Sequence, residues 1–350
     1  MVRSVTFAVP GDLSTPTGGY AYDRRMIAEL EHFGWKVNVI DLGEGFPRPS
    51  EETRATAQTR LAAVPKGQPI VMDGLAFGAL PDLAAQLRSL HPLVAIVHHP
   101  LALETGLSPA EAAALHASEQ AALGAAVRIV TSSATTARGL VADYGVPADR
   151  ITVATPGTDR AAAARGSTDG IVRLLAVGSL VPRKGYDVLI AALATLSDLP
   201  WRLTIAGDRT RDPTVAARLD ADLLRGKLGD RVAVLGAVSP ERISKLYAAA
   251  DLFVLASRFE GYGMAYSEAI MRGLPVVGTT AGAIPETVPT GAGVLVAPDN
   301  VAALALVLRR LIENPGERRR LAAAARAAAA RFPAWQDSAK LFARVLEAVA

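Results

Sequence analysis

The sequence predicts an α/β protein built from two doubly wound domains, and three observations carry that prediction. Strand-length apolar runs recur along the chain, each followed by a turn rich in Gly, Pro or Asp and then by a helical stretch. The rhythm breaks once, at the small and polar stretch Ala161 to Gly170, which reads as the linker between domains, and restarts at Val172. The chain has 350 residues, half of them apolar and one fifth charged, which is enough for two hydrophobic cores.

Composition removes several kinds of chemistry. No cysteine is present, so disulfides, cysteine metal sites and thiol nucleophiles are excluded. The formal net charge of +3 suits anionic ligands but is explained equally well by solubility. Met1 to Pro10 is too short for a signal-peptide core followed by a cleavage site. No apolar run approaches the roughly 20 residues of a membrane helix. A cytoplasmic protein is expected, with peripheral membrane contact left open and no nucleic-acid partner.

In order, Val5 to Val9 reads as the first strand, followed by a turn-rich loop from Pro10 to Gly19, a helix over Tyr20 to Phe33 and a strand over Trp35 to Ile40. That order describes a parallel βαβ unit. Gly18 and Gly19, at the helix entrance, let backbone come close to a ligand. No G-x-G-x-x-G and no Walker A sequence follows any strand, so a nicotinamide fingerprint and a P-loop are missing. Strands follow at Ile70 to Met72, Leu93 to Val97, Val127 to Thr131 and Ile151 to Val153, with helices at Leu80 to Leu90 and Ser108 to Leu123. Ser108-Pro109 opens the latter with a cap and a proline at the first helical position. His98 and His99 follow the Leu93 to Val97 run, at the carboxyl end of a parallel strand where such sheets gather ligands. Adjacent histidines on extended chain point apart and no neighbouring carboxylates join them in sequence, so a metal is not expected there.

The second half repeats the scheme. Strands are expected at Val172 to Val177, Leu203 to Ala206, Val232 to Leu235, Leu252 to Leu255, Val276 to Gly278 and Gly293 to Val296. Helices over Asp187 to Leu196 and Ser239 to Ala249 are the clearest between them. The turn after the first of these strands, Gly178 to Gly185, carries Arg183 and Lys184, a fork and a point charge suited to a diphosphate. Asp220-Ala221-Asp222 lies within an exposed helical stretch and reads as a solvated face. From Asn314 the chain is rich in Ala, Arg and Leu, with strong helix propensity over Ala322 to Ala330. Pro333 and Trp335 interrupt it before a last amphipathic helix over Ser338 to Val349.

The stretch from Phe259 to Ala269 holds the densest signal. Glu260 leaves a buried strand, Gly261 and Gly263 allow a tight turn with little bulk, and Glu268 sits about one turn into the following helix. Such a turn aims unpaired amides and the positive end of the helix dipole at an anion, while carboxylates on either side accept from hydroxyls. A phosphate bearing a sugar is the simplest ligand of that description.

The segment from Glu260 to Glu268, followed by Arg272-Gly273-Leu274-Pro275-Val276-Val277, resembles the E-x7-E signature of retaining glycosyltransferases of family 4. Further segments resemble other parts of that family. Gly178 to Gly185 is similar to its G-R-L-x-x-x-K-G loop, with Ser179 where the family usually has Arg. Ala206-Gly207-Asp208 resembles a turn near the donor, Ala281 to Glu286 its G-G-x-P-E loop, and Gly18-Gly19 its amino-terminal glycine loop. The resemblance implies the GT-B fold: two Rossmann-like domains facing a central cleft, with a final helix crossing back to the first. The implied boundaries are 1–163 for the acceptor side, 164–332 for the nucleotide-sugar side and 333–350 for that helix.

It implies transfer of a sugar from a nucleotide-diphosphate sugar to an acceptor hydroxyl, without metal or cofactor. The acceptor, whether small molecule, glycan or lipid-linked, is not named by any motif. Implied catalytic residues are Glu260, Lys184, Arg183, His98 and His99. Implied donor-binding residues are Gly18, Gly19, Ser179, Arg183, Lys184, Gly207, Glu260, Gly261, Tyr262, Gly263, Met264 and Glu268. The alternatives are a nucleotide-sugar epimerase of the same architecture and a non-catalytic sugar-nucleotide-binding protein. The first needs extra acid–base carboxylates, and the second draws its support from Ser179.

Overall fold

The computed structural model describes residues 3–350, and these divide into two compact units. One takes in the chain up to residue 157 together with 333–350, and the other is 158–332. Each is built on one six-stranded parallel sheet.

In the first unit the strands are β1 (Ser4–Val9), β2 (Lys36–Asp41), β3 (Ile70–Asp73), β4 (Leu93–Val97), β5 (Arg128–Thr131) and β6 (Ile151–Val153). Their order across the sheet is β2-β1-β3-β4-β5-β6. The direction in which strands are added reverses at β1, so β1 and β3 flank the switch point where such sheets bind ligands. β3 and β4 are buried at every position, which is what a central parallel strand covered on both faces requires. The last helix, Trp335–Glu347, packs on this unit against the helix Gly18–His32. Phe342 stacks on Phe7 with ring centroids 5.8 Å apart, and Trp335 is buried beside Tyr22. Trp335 therefore opens the final helix instead of interrupting one.

The second unit carries β7 (Val172–Val177), β8 (Trp201–Ala206), β9 (Val232–Val234), β10 (Leu252–Val254), β11 (Val276–Thr279) and β12 (Gly293–Val296), in the order β12-β11-β10-β7-β8-β9. Its switch point lies between β7 and β10, so the loops after these two strands meet. Each of the twelve strands lies where an apolar run predicts one, with ends shifted by at most a residue or two.

Three features depart from the sequence expectation. The stretch Ala161 to Gly170 is not a bridge between units but part of the second. Ala164 N donates to Arg272 O and Arg165 N to Ala248 O, both at 2.8 Å, and Ser167 N donates to Asp251 at 2.9 Å. The first helix begins at Gly18, two residues early, because the Thr17 hydroxyl caps it by accepting from Tyr20 N. A helix over Glu51–Ala62, capped by Ser50, carries no clear apolar periodicity; of its residues only Ala57 and Leu61 are buried.

Candidate functional site

The charged residues singled out in the sequence fall into two groups, one in each unit, and each lies at the carboxyl end of its own sheet.

In the second unit the chain leaving β7 runs through Gly178 and Ser179 into a single 3-10 turn, Pro182–Lys184. Gly185 follows at φ +64°, and a Cβ there would lie 2.0 Å from Ala256 O. Only glycine fits both that backbone conformation and that approach. The closeness brings the loop after β7 against the loop after β10. Across this contact Lys184 Nζ donates to Glu260 Oε1 at 2.7 Å, and Arg183 donates to Glu260 Oε2 at 3.2 Å and to Phe259 O at 3.0 Å. The Ser257 hydroxyl also donates to Glu260 Oε1, at 2.7 Å. Burial alone would raise the Glu260 carboxyl, but Lys184 and Arg183 outweigh it and hold the group down at about 2.

Glu260 is thus committed largely to donors of the protein itself. It is the counter-ion of the two cations, 5% exposed, with three of its roughly four acceptor positions taken by protein donors. The glycine turn that follows is rigidly seated. Ala283 N donates to Glu260 O at 2.9 Å, and the Thr287 hydroxyl donates to Tyr262 O. Gly261 and Tyr262 are buried. Gly263, at φ +92°, precedes the helix Met264–Met271, and no side chain caps that helix. Glu268 sits one turn in, half-buried beside Tyr247. Burial raises its carboxyl above the usual range, against the Tyr247 hydroxyl and the Arg272 charge. Gly207 abuts the turn holding Ser179: a Cβ on Gly207 would lie 1.8 Å from Gly178 O.

Two residues of this group escape motif reading. Arg258 forks onto Asp187 at 2.8 and 3.0 Å, donates to Pro182 O at 2.6 Å and pairs with Asp299 at 2.7 Å. With Arg258 N donating to Arg183 O at 2.7 Å, it fastens the cationic turn to the glutamate loop. Ser257 is the other. Both stand within three residues of Glu260, so attention to the residues just before the glutamate, not only after it, finds them. Asp220 and Asp222 lie far from this chemistry in character as well as sequence. Both are on the helix Pro213–Arg225 and pair with surface arginines.

In the first unit the two adjacent histidines take different acidic partners. His98 Nε2 lies 3.3 Å from both Asp23 Oδ1 and Asp73 Oδ2, whereas His99 Nε2 lies 3.4 Å from the half-exposed Glu104. Asp23 comes from the first helix and Asp73 from the end of β3, so the carboxylates absent from the local sequence arrive through the fold. That corrects the expectation of histidines without acidic neighbours. The three polar atoms lie within 4.8 Å of one another, a spacing a cation would also satisfy, and an imidazolium there balances one of the two carboxylate charges. Gly19 lies against the ring, a Cβ there falling 3.1 Å from His98 Cδ2. Gly18 has open space around it. Burial disfavours charge on His98, but Asp23 and Asp73 overcome this and raise its basicity.

Residues 157–328 match the family described as Glycosyl transferases group 1. The chain is 32% identical over 273 residues to D-inositol 3-phosphate glycosyltransferase 1 of Catenulispora acidiphila, covering 72% of this chain and 64% of that protein. It is 29% identical over 313 residues to the MMP alpha-(1->4)-mannosyltransferase of Mycolicibacterium hassiacum, covering 84% of this chain and 74% of that protein. The match to the first relative therefore spans less than two thirds of its length. Among solved structures, sucrose-phosphate synthase from Thermosynechococcus elongatus superposes with a TM-score of 0.83 at 20% identity, over 99% of both chains. Anabaena Alr3699/HepE in complex with UDP and glucose superposes at 0.77, also at 20% identity, over 99% of this chain and 100% of that one. At such identities these likenesses speak for the fold alone, which is GT-B. The family match runs over nearly the whole of the second unit.

Proposed function

We propose that the chain transfers a sugar from a nucleoside-diphosphate sugar to an acceptor hydroxyl, with retention at the anomeric carbon and without a metal. The observation that carries this reading is the convergence of Arg183 and Lys184 on Glu260, beside the uncapped start of the helix Met264–Met271. Two cations and a row of leading amides suit a diphosphate whose negative charge grows as the glycosidic bond breaks. No side-chain nucleophile is needed if the departing phosphate takes the acceptor proton on the same face. Glu260 orients both cations and keeps about one acceptor position for a sugar hydroxyl. Glu268 accepts from the ribose hydroxyls, and in the first unit His98 donates to a substrate hydroxyl. Relatives named as glycosyltransferases and a neighbour crystallised with UDP and glucose support the reading.

The test is calorimetric titration of the chain with UDP, GDP and ADP, each repeated with Glu268→Ala. One nucleotide is expected to bind, with the variant losing about 1.5–3 kcal/mol, the range for hydrogen bonds to a charged group. Equal affinity in the two proteins sinks the ribose role. No binding of any of the three by folded protein sinks the donor site.

A further inference from the structure

The first unit buries more negative charge than its sheet requires. Asp23 is fully buried and Asp73 is 3% exposed. Asp73 Oδ1 accepts from Leu75 N at 2.8 Å, so that carboxylate also serves as a helix cap. Asp23 has no such structural employment: among the described residues, neither of its oxygens has a hydrogen-bonded partner within strict geometry, and His98 Nε2 is the cation beside it at 3.3 Å. A carboxylate buried in that way costs several kcal/mol unless a cation compensates it. Burial pushes the Asp23 carboxyl up to about 6 and the His98 charge draws it down, so the ionisation of the two groups is tied together.

The ring is also held in place. Gly19 and Tyr22, from the same helix as Asp23, lie against it, a Cβ on Gly19 falling 3.1 Å from the ring, tighter than side chains usually pack, and Tyr22 edge-on with ring centroids 5.4 Å apart. Ser132 donates to the His98 backbone carbonyl at 3.2 Å. The titratable groups around the ring are Tyr22 and Asp23 on the first helix, Asp73 at the end of β3, and His99 with its partner Glu104 on the loop that follows β4. With Nε2 lying 3.3 Å from an oxygen of each carboxylate, a doubly protonated ring has Nδ1–H as its second donor. The His98 side chain is 20% exposed, so part of the ring reaches a ligand or solvent.

We infer that Asp23 and Asp73 are positioning residues, holding His98 as an oriented imidazolium so that Nδ1–H donates to an oxygen of the bound sugar substrate. The donation rests on the transferase reading above; the charge-holding does not. Asp23 acts through His98 and touches no substrate itself. An ordinary histidine, neutral above about pH 6.5, would present a donor or an acceptor according to its tautomer. A ring kept charged presents only a donor, whatever the working pH.

The chain has five histidines, few enough for their ring nitrogens to be followed individually by NMR in full-length protein labelled at those atoms. His98→Gln assigns the signal. In the native chain both ring nitrogens of His98 are expected to stay protonated beyond pH 8. In Asp23→Asn the titration midpoint is expected to fall by about 1–3 pH units, the effect of removing one adjacent opposite charge, while the other four histidines are unmoved. Asp73→Asn gives the same readout if Asp23→Asn does not fold. Titration of His98 near pH 6.5 in the native chain overturns the inference without any variant. So does a midpoint unchanged in a folded Asp23→Asn. Replacement of the ring proton by Zn²⁺ added to chelator-treated protein also overturns it, in favour of a metal site. If His98 stays charged but no nucleotide binds, the transferase reading and the proposed donation fall together, a result distinct from failure of the triad.

Discussion

The two charged groups are built to opposite plans. In the first unit one cation, His98, stands between two carboxylates, Asp23 and Asp73. In the second, one carboxylate, Glu260, stands between two cations, Arg183 and Lys184. Both occupy the carboxyl end of a parallel sheet beside its switch point, where open α/β sheets bind ligands. The first group carries a surplus of negative charge and suits hydroxyls and a proton donor held in fixed orientation. The second carries a surplus of positive charge and suits an anion. One sheet architecture used twice thus carries two opposite arrangements of buried charge.

The sharpest way to break that contrast is to remove the single carboxylate. Glu260→Ala leaves Arg183 and Lys184 close together, both largely buried, without their counter-ion. Loss of one partner from a buried ion pair costs about 3–5 kcal/mol, read as a lowered denaturant midpoint for the second unit. Glu260→Gln preserves the shape and exposes the electrostatic part through pH. Because the Glu260 carboxyl is held at about 2, below its unfolded value, its contribution is present above about pH 4.5. It is lost as pH falls through 2. Native protein should therefore lose more stability than Glu260→Gln between pH 5 and 2. Parallel losses in the two proteins would mean that the cations do not stabilise this carboxylate.

Glu119 sharpens the contrast from the other side. It is as buried as Glu260 and accepts from Leu101 N at 2.9 Å, yet burial pushes its carboxyl up to about 7. The difference between the two glutamates is the pair of cations. The second prediction concerns one of them. Lys184→Ala removes a charge proposed to stabilise the departing diphosphate, and kcat/KM should fall by about 3 kcal/mol, the scale of a lost transition-state donor. Unchanged kinetics would mean that Lys184 serves only to neutralise Glu260.

What could be seen in the sequence depends on whether the cause is local. The strands were legible because a central parallel strand, covered on both faces, must be an uninterrupted apolar run, as Leu93 to Val97 is. The glutamate turn was legible because its glycines, helix start and both carboxylates lie within eleven residues of chain, Phe259 to Ala269. The pairing of Lys184 with Glu260 was not, since 76 residues separate them and only the packing of the loops after β7 and β10 joins them. Asp23 was hidden for the same reason. It looks like an ordinary charge on an amphipathic helix until β3 and β4 bring Asp73 and His98 to its side. The closeness of Gly19 to the His98 ring is equally invisible in the sequence, since 79 positions separate them. The helix at Glu51–Ala62 escaped because it buries so little that its sequence carries almost no period.

The smallest predicted effect marks the boundary of the argument. Asp220 and Asp222 have the spacing of a metal-binding D-x-D, but they lie on the helix Pro213–Arg225 with surface arginines for partners. Asp220 takes Arg209 at 2.5 Å, and Asp222 takes Arg225 at 2.8 Å and Arg218 at 3.9 Å. Water screens such pairs, and each contributes at most about 1 kcal/mol. Asp220→Ala and Asp222→Ala should therefore change stability by less than about 1 kcal/mol and leave nucleotide binding unaltered with Mg²⁺ present or absent. A Mg²⁺-dependent affinity that either substitution abolishes would give this helix a part in catalysis. It would also mean that the buried cations Arg183 and Lys184 do not carry the diphosphate alone.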